Sequence, residues 1–450
     1  MRLFLTAAAL SLAFSSSVFA APRVDPAVYE KLDVFAHVLE KIRTSYVETV
    51  TETEVIENAI NGMLTSLDPH SSYMKTEEFK GLQEQTQGEF GGLGIEVTMD
   101  GGLVKVVSPI EDTPAALAGL QSGDLITRID AKDVQGITLK DAVDMMRGKP
   151  DTQVKLLVFR ESEKRTFPVT LTRAVIKVKP VKAKLLESGI GYLRITAFNE
   201  YTDSALQDHF ATLVKDNKAP LNGLILDLRN NPGGLLNQAI AVADDFLVGG
   251  EVVSTRGRIE GQNARYSAQG GDIMNGKPIL VLINGGSASA AEIVAGALQD
   301  NKRAITVGTK SFGKGSVQTV FNLPGGTGMR LTTALYYTPA GRSIQAKGIE
   351  PDIEIKAPAI KTKNGDEFDE SMLPTEAGLQ GHITTDTTAE DKAAAAERVK
   401  NLPAALQTLP PAKDTTPTTL GTDGKPDFQL SRALEMMKVL LVSKGPMAGK

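Results

Sequence analysis

The sequence predicts a multidomain α/β protein with a helical arm, a small α+β module, a larger α/β core, and a linker ending in one amphipathic helix. Three observations carry this reading. Apolar residues across 21–84 recur every three or four positions, as on a buried helix face. Residues 85–172 break into short β-like runs, and 173–357 holds apolar strands that each lead into a turn and a helical pattern. A chain of 450 residues also exceeds one ordinary core and suits two or three domains.

Composition narrows the class. With 41% hydrophobic and 23% charged residues the chain reads as globular and soluble. A net charge of −5 supplies no broad basic surface, which excludes nucleic acid as a partner. The absence of cysteine removes disulfides, thiolate nucleophiles, cysteine-based zinc sites and lipid attachment to an N-terminal cysteine. Of the four histidines (His37, His70, His209, His382), none lies in an HExxH pattern, so a zinc protease is not indicated. No metal or cofactor is called for.

The first twenty residues read as a cleaved leader. Arg2 gives the positive start, and Leu3 to Phe14 is apolar but too short to span a membrane. Val18-Phe19-Ala20 fits a cleavage site before Ala21. The mature chain is therefore expected in the periplasm or outside the cell, with no membrane span after cleavage.

In 21–84 the helical positions are Val28, Leu32, Phe35, Val38, Leu39, Ile42 and Tyr46, then Val55, Ile56, Ile60, Met63, Leu64 and Leu67; Asp68-Pro69 ends the pattern. This arm reads as a packing or dimerisation element. In the module, strands are expected at 94–98, 103–108, 124–130, 153–160 and 166–172, and helices at 114–120 and 138–146. In the core, strands are expected at 224–228 and 279–283, followed by helices at 235–248 and 290–298. Residues 358–424 are rich in Thr, Ala, Pro, Lys and Asp and read as a flexible linker. The terminal segment 425–450 repeats apolar residues at helical spacing. Such a helix needs a partner surface, on its own body, another copy or another protein.

Three turns contain residues suited to chemistry. The strand at 279–283 runs into Asn284-Gly285-Gly286-Ser287-Ala288-Ser289-Ala290-Ala291-Glu292. A serine at a helix start stands beside free N–H groups and the positive end of the helix dipole, where a substrate oxyanion is stabilised. Ser289 and Glu292 also have the S-x-x-E spacing of a capping box, so this pattern alone equally describes a cap. The strand at 224–228 ends in Asn231-Pro232-Gly233-Gly234, a turn that either presents backbone N–H groups or simply reverses the chain; with Ala290, Gly233 or Gly234 would complete an oxyanion hole. In Gly313-Lys314-Gly315, the lysine sits on a shaped loop. Burial would lower its pKa and let it act as a base, whereas a solvated loop lysine would not, and Gln318 is placed to hold its amine. There is no G-x-S-x-G elbow, and the P-loop glycine spacing is missing around Gly313-Lys314-Gly315-Ser316.

Taken together, these segments resemble the carboxyl-terminal processing, or tail-specific, protease family over residues 25–357. The resemblance implies a Ser/Lys dyad with Ser289 as nucleophile, Lys314 as base 25 positions on, and Gln318 four beyond it. Ser287 and Lys310 are the lesser candidates. It implies an oxyanion loop at Asn231–Gly234 and a ClpP/crotonase-like protease core over 173–357. It also implies a PDZ domain over 85–172. There Gly91, Gly92, Leu93 and Gly94 would bind a terminal carboxylate, and the strand from Ile95 would pair with the peptide. Where one common version of the family motif has a third serine, this chain has Ala291, which is not the nucleophile position. The helix at 138–146 would form the other wall of the peptide groove, and Arg147 after it is expected to couple peptide binding to the dyad. The implied function is a serine endopeptidase that captures protein substrates by their C-terminal tails. Self-association is expected, and an adaptor protein is a further candidate partner. The rivals are a PDZ scaffold without catalysis and a hydratase-like enzyme acting on acyl thioesters.

Overall fold

The computed structural model describes residues 25–110, 112–358, 360–361, 367–368, 373–385, 396–407, 419–421, 424 and 426–443. The expected leader, 1–20, lies outside them. The chain divides into two units, Met1–Met63 and Leu64–Lys450.

The first unit holds helix Pro26–Ser45 and most of helix Glu52–Thr65. Asp25 starts the first helix, accepting the Ala27 N–H at 3.0 Å, and Pro26 follows where no amide partner is needed. That helix buries none of its residues; Val28, Leu32, Phe35 and Val38 form an exposed apolar stripe.

The second unit contains the module and the core. In the module, the strands Ile95–Asp100, Leu103–Pro109, Leu125–Ile129, Gln153–Arg160 and Arg165–Thr172 form an antiparallel sheet in that order. Ile95–Asp100 is therefore an edge strand, and helix Leu139–Met146 packs on the same core. A two-stranded ribbon, Glu89–Gly92 against Ala174–Lys177, marks where the chain enters and leaves the module. These strands were not expected from the sequence, since neither alternates clearly.

The core is built on a six-stranded sheet in the order Val181–Leu186, Ile190–Ile195, Gly223–Asp227, Ile279–Ile283, Ile305–Gly308, Ile353–Glu354. All neighbours are parallel except the first pair. Both faces are covered, which explains the unbroken apolar strands. Leu224, Leu226, Val281 and Ile283 meet helices Thr202–Asn217, Leu236–Asp244 and Ala290–Asp300, while Ile225, Leu280 and Leu282 face the terminal helix. That helix, Phe428–Ser443, buries Leu430, Ala433, Leu434, Met437 and Leu440 on its own sheet. Its partner surface is thus the body of the same chain.

A second, five-stranded sheet joins Ser72–Met74, Gly328–Tyr337, Glu251–Gly257 and Ala264–Ser267, with Ser316–Asn322 also paired to Gly328–Tyr337. The stretch 358–424, expected to be a flexible linker, differs in two described parts. Within 396–407, Leu406 is buried with the core sheet and the terminal helix, and Arg398 lies 3.5 Å from Asp352. Residues 373–385 pack on the core, and Glu376 is fully buried.

Candidate active site

Ser289 stands between strand Ile279–Ile283 and helix Ala290–Asp300, at the carboxyl end of the parallel sheet. Its backbone holds φ 54° and ψ −114°. An ordinary N-cap has β-region angles, and a non-glycine residue at positive φ costs about 1–3 kcal/mol. Such strain clusters at functional sites and is held in place by surrounding bonds. Here those bonds are the Ala288 N–H to Asn231 O at 2.9 Å and the Ser289 N–H to Glu292 Oε2 at 2.8 Å.

Asn231 also shapes the Pro232-Gly233-Gly234 turn. Its Oδ1 accepts the Gly233 N–H at 2.8 Å, and its amide donates to Ile195 O at 2.9 Å. Gly233, at φ 96°, lies directly against the serine: a Cβ there would fall 2.7 Å from Ser289 Cβ and 2.9 Å from the Ala290 nitrogen. Gly234, at φ 143°, is pressed on the Phe198 backbone, where a Cβ would meet the carbonyl oxygen at 2.0 Å. The two glycines are thus required by close backbone approach. The Gly233 N–H is already bonded, whereas those of Gly234 and Ala290 have no protein acceptor among the described residues.

Lys314 lies on the loop before strand Ser316–Asn322, and its backbone N–H meets the same carboxylate as that of Ser289. Glu292 fastens this loop to the serine turn. Fully buried, it accepts the Ser311 hydroxyl and the Gly313 N–H on Oε1, and the Ser289 and Lys314 N–H groups on Oε2. Burial pushes its carboxyl up to about 7, against the pull of those donors. Burial and the nearby Arg330 hold the Lys314 amine below the ordinary lysine range, opposed by Glu376, Glu292 and Asp68. No hydrogen bond joins the Ser289 hydroxyl to the Lys314 amine among the described residues. Catalytic contacts in structures without substrate are often loose and tighten on binding.

Other sequence candidates fall into place. The Ser287 hydroxyl is fully buried and donates to Leu228 O at 2.8 Å, a structural role. Lys310 is exposed and lies 3.5 Å from Glu350. The Gln318 side-chain amide donates to Ser316, through Oγ at 2.8 Å and O at 3.1 Å, rather than to Lys314. In the module, Gly91 is stitched to Gly148, whose N–H donates to Gly91 O at 3.1 Å, and Leu93 is buried. The Gly92 loop residue ends a ribbon strand, and the Leu93 and Gly94 N–H groups have no protein acceptor among the described residues. Ile95, Val97 and Met99 on the edge strand and Leu139 and Val143 on the helix are half-buried against one core. Arg147 ends that helix, stacks over Phe90 at 4.6 Å and lies 3.7 Å from Glu84.

Sequence reasoning missed several groups here. From the sequence, Glu292 reads only as the end of a capping box, and Asn231 only as part of a turn. Arg330 and Glu376, which act on the Lys314 amine, and His70, which meets Glu376, carry no local signal in the sequence. A further group lies at the end of the strand that leads to the Pro232-Gly233-Gly234 turn: buried Asp227 accepts from Arg229, Arg194 and the Tyr192 hydroxyl, and Arg229 reaches Asp427 and Gln429 at the start of the terminal helix.

Comparison with known proteins agrees with this arrangement. Residues 189–355 match peptidase family S41, 91–171 match the PDZ domain, and 14–78 match the N-terminal domain of the activating protease CtpB. A carboxy-terminal-processing protease of Bartonella bacilliformis is 53% identical over 360 residues, 79% of this chain and 81% of that one. The chain belongs to peptidase family S41. It is a carboxy-terminal-processing serine protease with a PDZ domain. More distant members include CtpA of Bacillus subtilis, 35% identical over 73% of this chain and 70% of its own length. The carboxyl-terminal-processing protease of a Synechocystis strain is 38% identical over 71% and 75%. Among the described residues no helix is long and apolar enough to cross a membrane, and no cluster of side chains is suited to hold a metal ion.

Proposed function

We propose that this S41 protease is exported and cleaves exported or envelope proteins with a Ser289/Lys314 dyad. The observation that carries the reading is the convergence of both residues on Glu292 beside the Gly233–Gly234 turn. A substrate C-terminus docks with its carboxylate at Gly91–Gly94 and adds a strand to the open edge at Ile95. Neutral Lys314 takes the proton from Ser289 Oγ as the oxygen attacks the peptide carbonyl. The oxyanion is held by the Ala290 N–H and the glycine turn, where Gly234 is the open donor because Gly233 is bonded to Asn231. The amine of the departing peptide takes the proton, and water then hydrolyses the acyl-enzyme. Gln318 supports the lysine loop through Ser316. Arg147 couples the filled groove to the dyad through Phe90 and Glu84. The exposed stripe of helix Pro26–Ser45 serves self-association.

The amine must be neutral, and its pKa is lowered, so activity rises with pH along a limb lying below the ordinary lysine value of about 10.4. The test is cleavage of an unfolded protein by the mature chain, beside Ser289→Ala and Lys314→Ala. Loss of cleavage by several orders of magnitude in both folded variants supports the dyad. Continued cleavage by Ser289→Ala overturns the nucleophile. A parent chain that binds C-terminal peptides but never cuts would be a PDZ scaffold instead.

A further inference from the structure

The loop that carries Lys314 is closed from behind by residues 373–385, far beyond the strand that ends the core sheet. The Glu376 N–H donates to Phe312 O at 3.0 Å. Its carboxylate accepts from Gln345 Nε2 at 2.8 Å and meets His70 Nε2 at 2.8 Å. Gln345 in turn accepts the Gly315 N–H at 3.0 Å on its side-chain oxygen. It also donates to Ile383 O at 3.2 Å, and its own carbonyl accepts the Thr385 hydroxyl at 3.0 Å. Glu376 thus ties together the chain before Lys314 through its N–H, and the chain after it (by way of Gln345) and the turn Asp68–Ser71 through its carboxylate.

The charges acting on the Lys314 amine come from four elements. Glu292 belongs to the helix after Ser289, Arg330 to strand Gly328–Tyr337, Asp68 to the turn before Ser72, whose His70 meets Glu376, and Glu376 to this distal segment. A fully buried carboxylate is costly unless it is bonded and paired, and Glu376 is both. His70 and Lys314 help hold its carboxyl below the usual range, against its burial. It therefore carries its negative charge at neutral pH.

We propose that residues 373–385 form a strap that completes the active site, with Glu376 as a positioning residue that holds the Lys314 loop and sets the charge balance felt by its amine. This rests on the reading of Lys314 as the base. The anion favours the ammonium form, so it opposes burial and Arg330, which favour the neutral amine. A base with too low a pKa takes protons poorly, and Glu376 keeps Lys314 from falling that far.

The test is the pH profile of kcat/KM for Glu376→Gln and Glu376→Asp in the full mature chain, with thermal unfolding to confirm folding and Lys314→Ala as reference. Glu376→Gln keeps the size and an acceptor for Gln345 but removes the charge. Its acid limb is expected to move to lower pH, so that the variant-to-parent ratio of kcat/KM rises as pH falls. Glu376→Asp retains the charge, and its limb is expected to stay nearer that of the parent while the plateau drops. If Lys314→Ala is inactive and the limb of folded Glu376→Gln does not move, the strap proposal is wrong and the dyad stands. If Lys314→Ala still cleaves, the base assignment fails first, and this inference with it.

Discussion

Ser289 and Lys314 meet through a single atom: Glu292 Oε2 accepts the backbone N–H of both, at 2.8 and 2.9 Å. The two residues lie on separate loops, and the bridging oxygen fixes one backbone relative to the other without using either reactive side chain. Glu292→Gln replaces one acceptor oxygen with a donor, leaving two of its four donors unpaired. Each buried loss costs about 1–3 kcal/mol. The variant should unfold about 2–6 kcal/mol more easily. It should also lose on the order of 100-fold in kcat/KM, as expected for an ångström-scale displacement of a reacting group.

The same residue gives stability a defined pH dependence. Its carboxyl is raised from an ordinary 4.5 to about 7, so between those values the folded chain holds a proton that the unfolded chain has lost. Its contribution to stability therefore falls as pH rises through that window and is recovered below it. Glu292→Gln lacks a titrating group, so the stability difference between parent and variant should narrow as pH rises from 4.5 to 7. Thermal melts of both across that range check the sign, and a difference that widens would contradict it.

Much of this was readable in the sequence because local pattern and burial agree. The strands at Gly223–Asp227 and Ile279–Ile283 are apolar on both faces, since helices cover one side and the terminal helix the other. The motif turns were visible because glycines stand where Cβ atoms would strike backbone, as at Gly234. What was hidden depends on contacts distant in sequence. Glu376 lies in a polar stretch that reads as linker, and its order comes from meeting His70, 306 residues away. The strand Gly328–Tyr337 was missed because it is mostly half-buried and shows no clean alternation. Gln318 follows a register shift at Val317/Gln318, which no spacing rule reveals.

Gly233→Ala tests the packing of the oxyanion turn. The added methyl would lie 2.7 Å from Ser289 Cβ and 2.8 Å from Ala288 O, at a φ of 96° that L side chains avoid. Strain of this kind costs about 1–3 kcal/mol. Loss of one oxyanion contact lowers kcat by about 100- to 1,000-fold. The variant should fold with a lowered Tm, bind C-terminal peptide in its PDZ domain as the parent does, and cleave poorly with KM little changed. Normal kcat would show that the turn lies away from the developing charge.

Arg147→Ala separates peptide capture from its transmission. The guanidinium lies over Phe90 at 4.6 Å and 3.7 Å from Glu84, so it joins the groove helix to the ribbon and to helix Thr76–Gln87. Because it is half-exposed, its loss should cost less than about 1 kcal/mol of stability. The expected result is unchanged affinity of the PDZ groove for a C-terminal peptide, measured by titration, with stimulation of cleavage by that peptide lost. Full stimulation in the variant would remove Arg147 from the coupling.

The terminal helix offers the last test, because its docking decides whether the fold is complete within one chain. Leu430 is fully buried against Ile225, Leu280 and Leu282, and Asp427 at the helix start binds Arg229 at 2.7 Å, which in turn binds Asp227 at the end of the strand that leads to Gly233. Leu430→Ala should cost about 2–5 kcal/mol, as for other buried leucines. If the helix docks on its own sheet, the loss in Tm is the same at every protein concentration. If it docks on another copy, association would contribute, and the loss would change with concentration. Asp427→Ala removes one partner of Arg229 and the acceptor of the Leu430 N–H, yet leaves Arg229 bonded to Asp227. It should therefore weaken the helix by about 1 kcal/mol while cleavage falls only slightly. A severe loss of cleavage with little loss of stability would instead mean that the helix start helps hold the oxyanion turn in register.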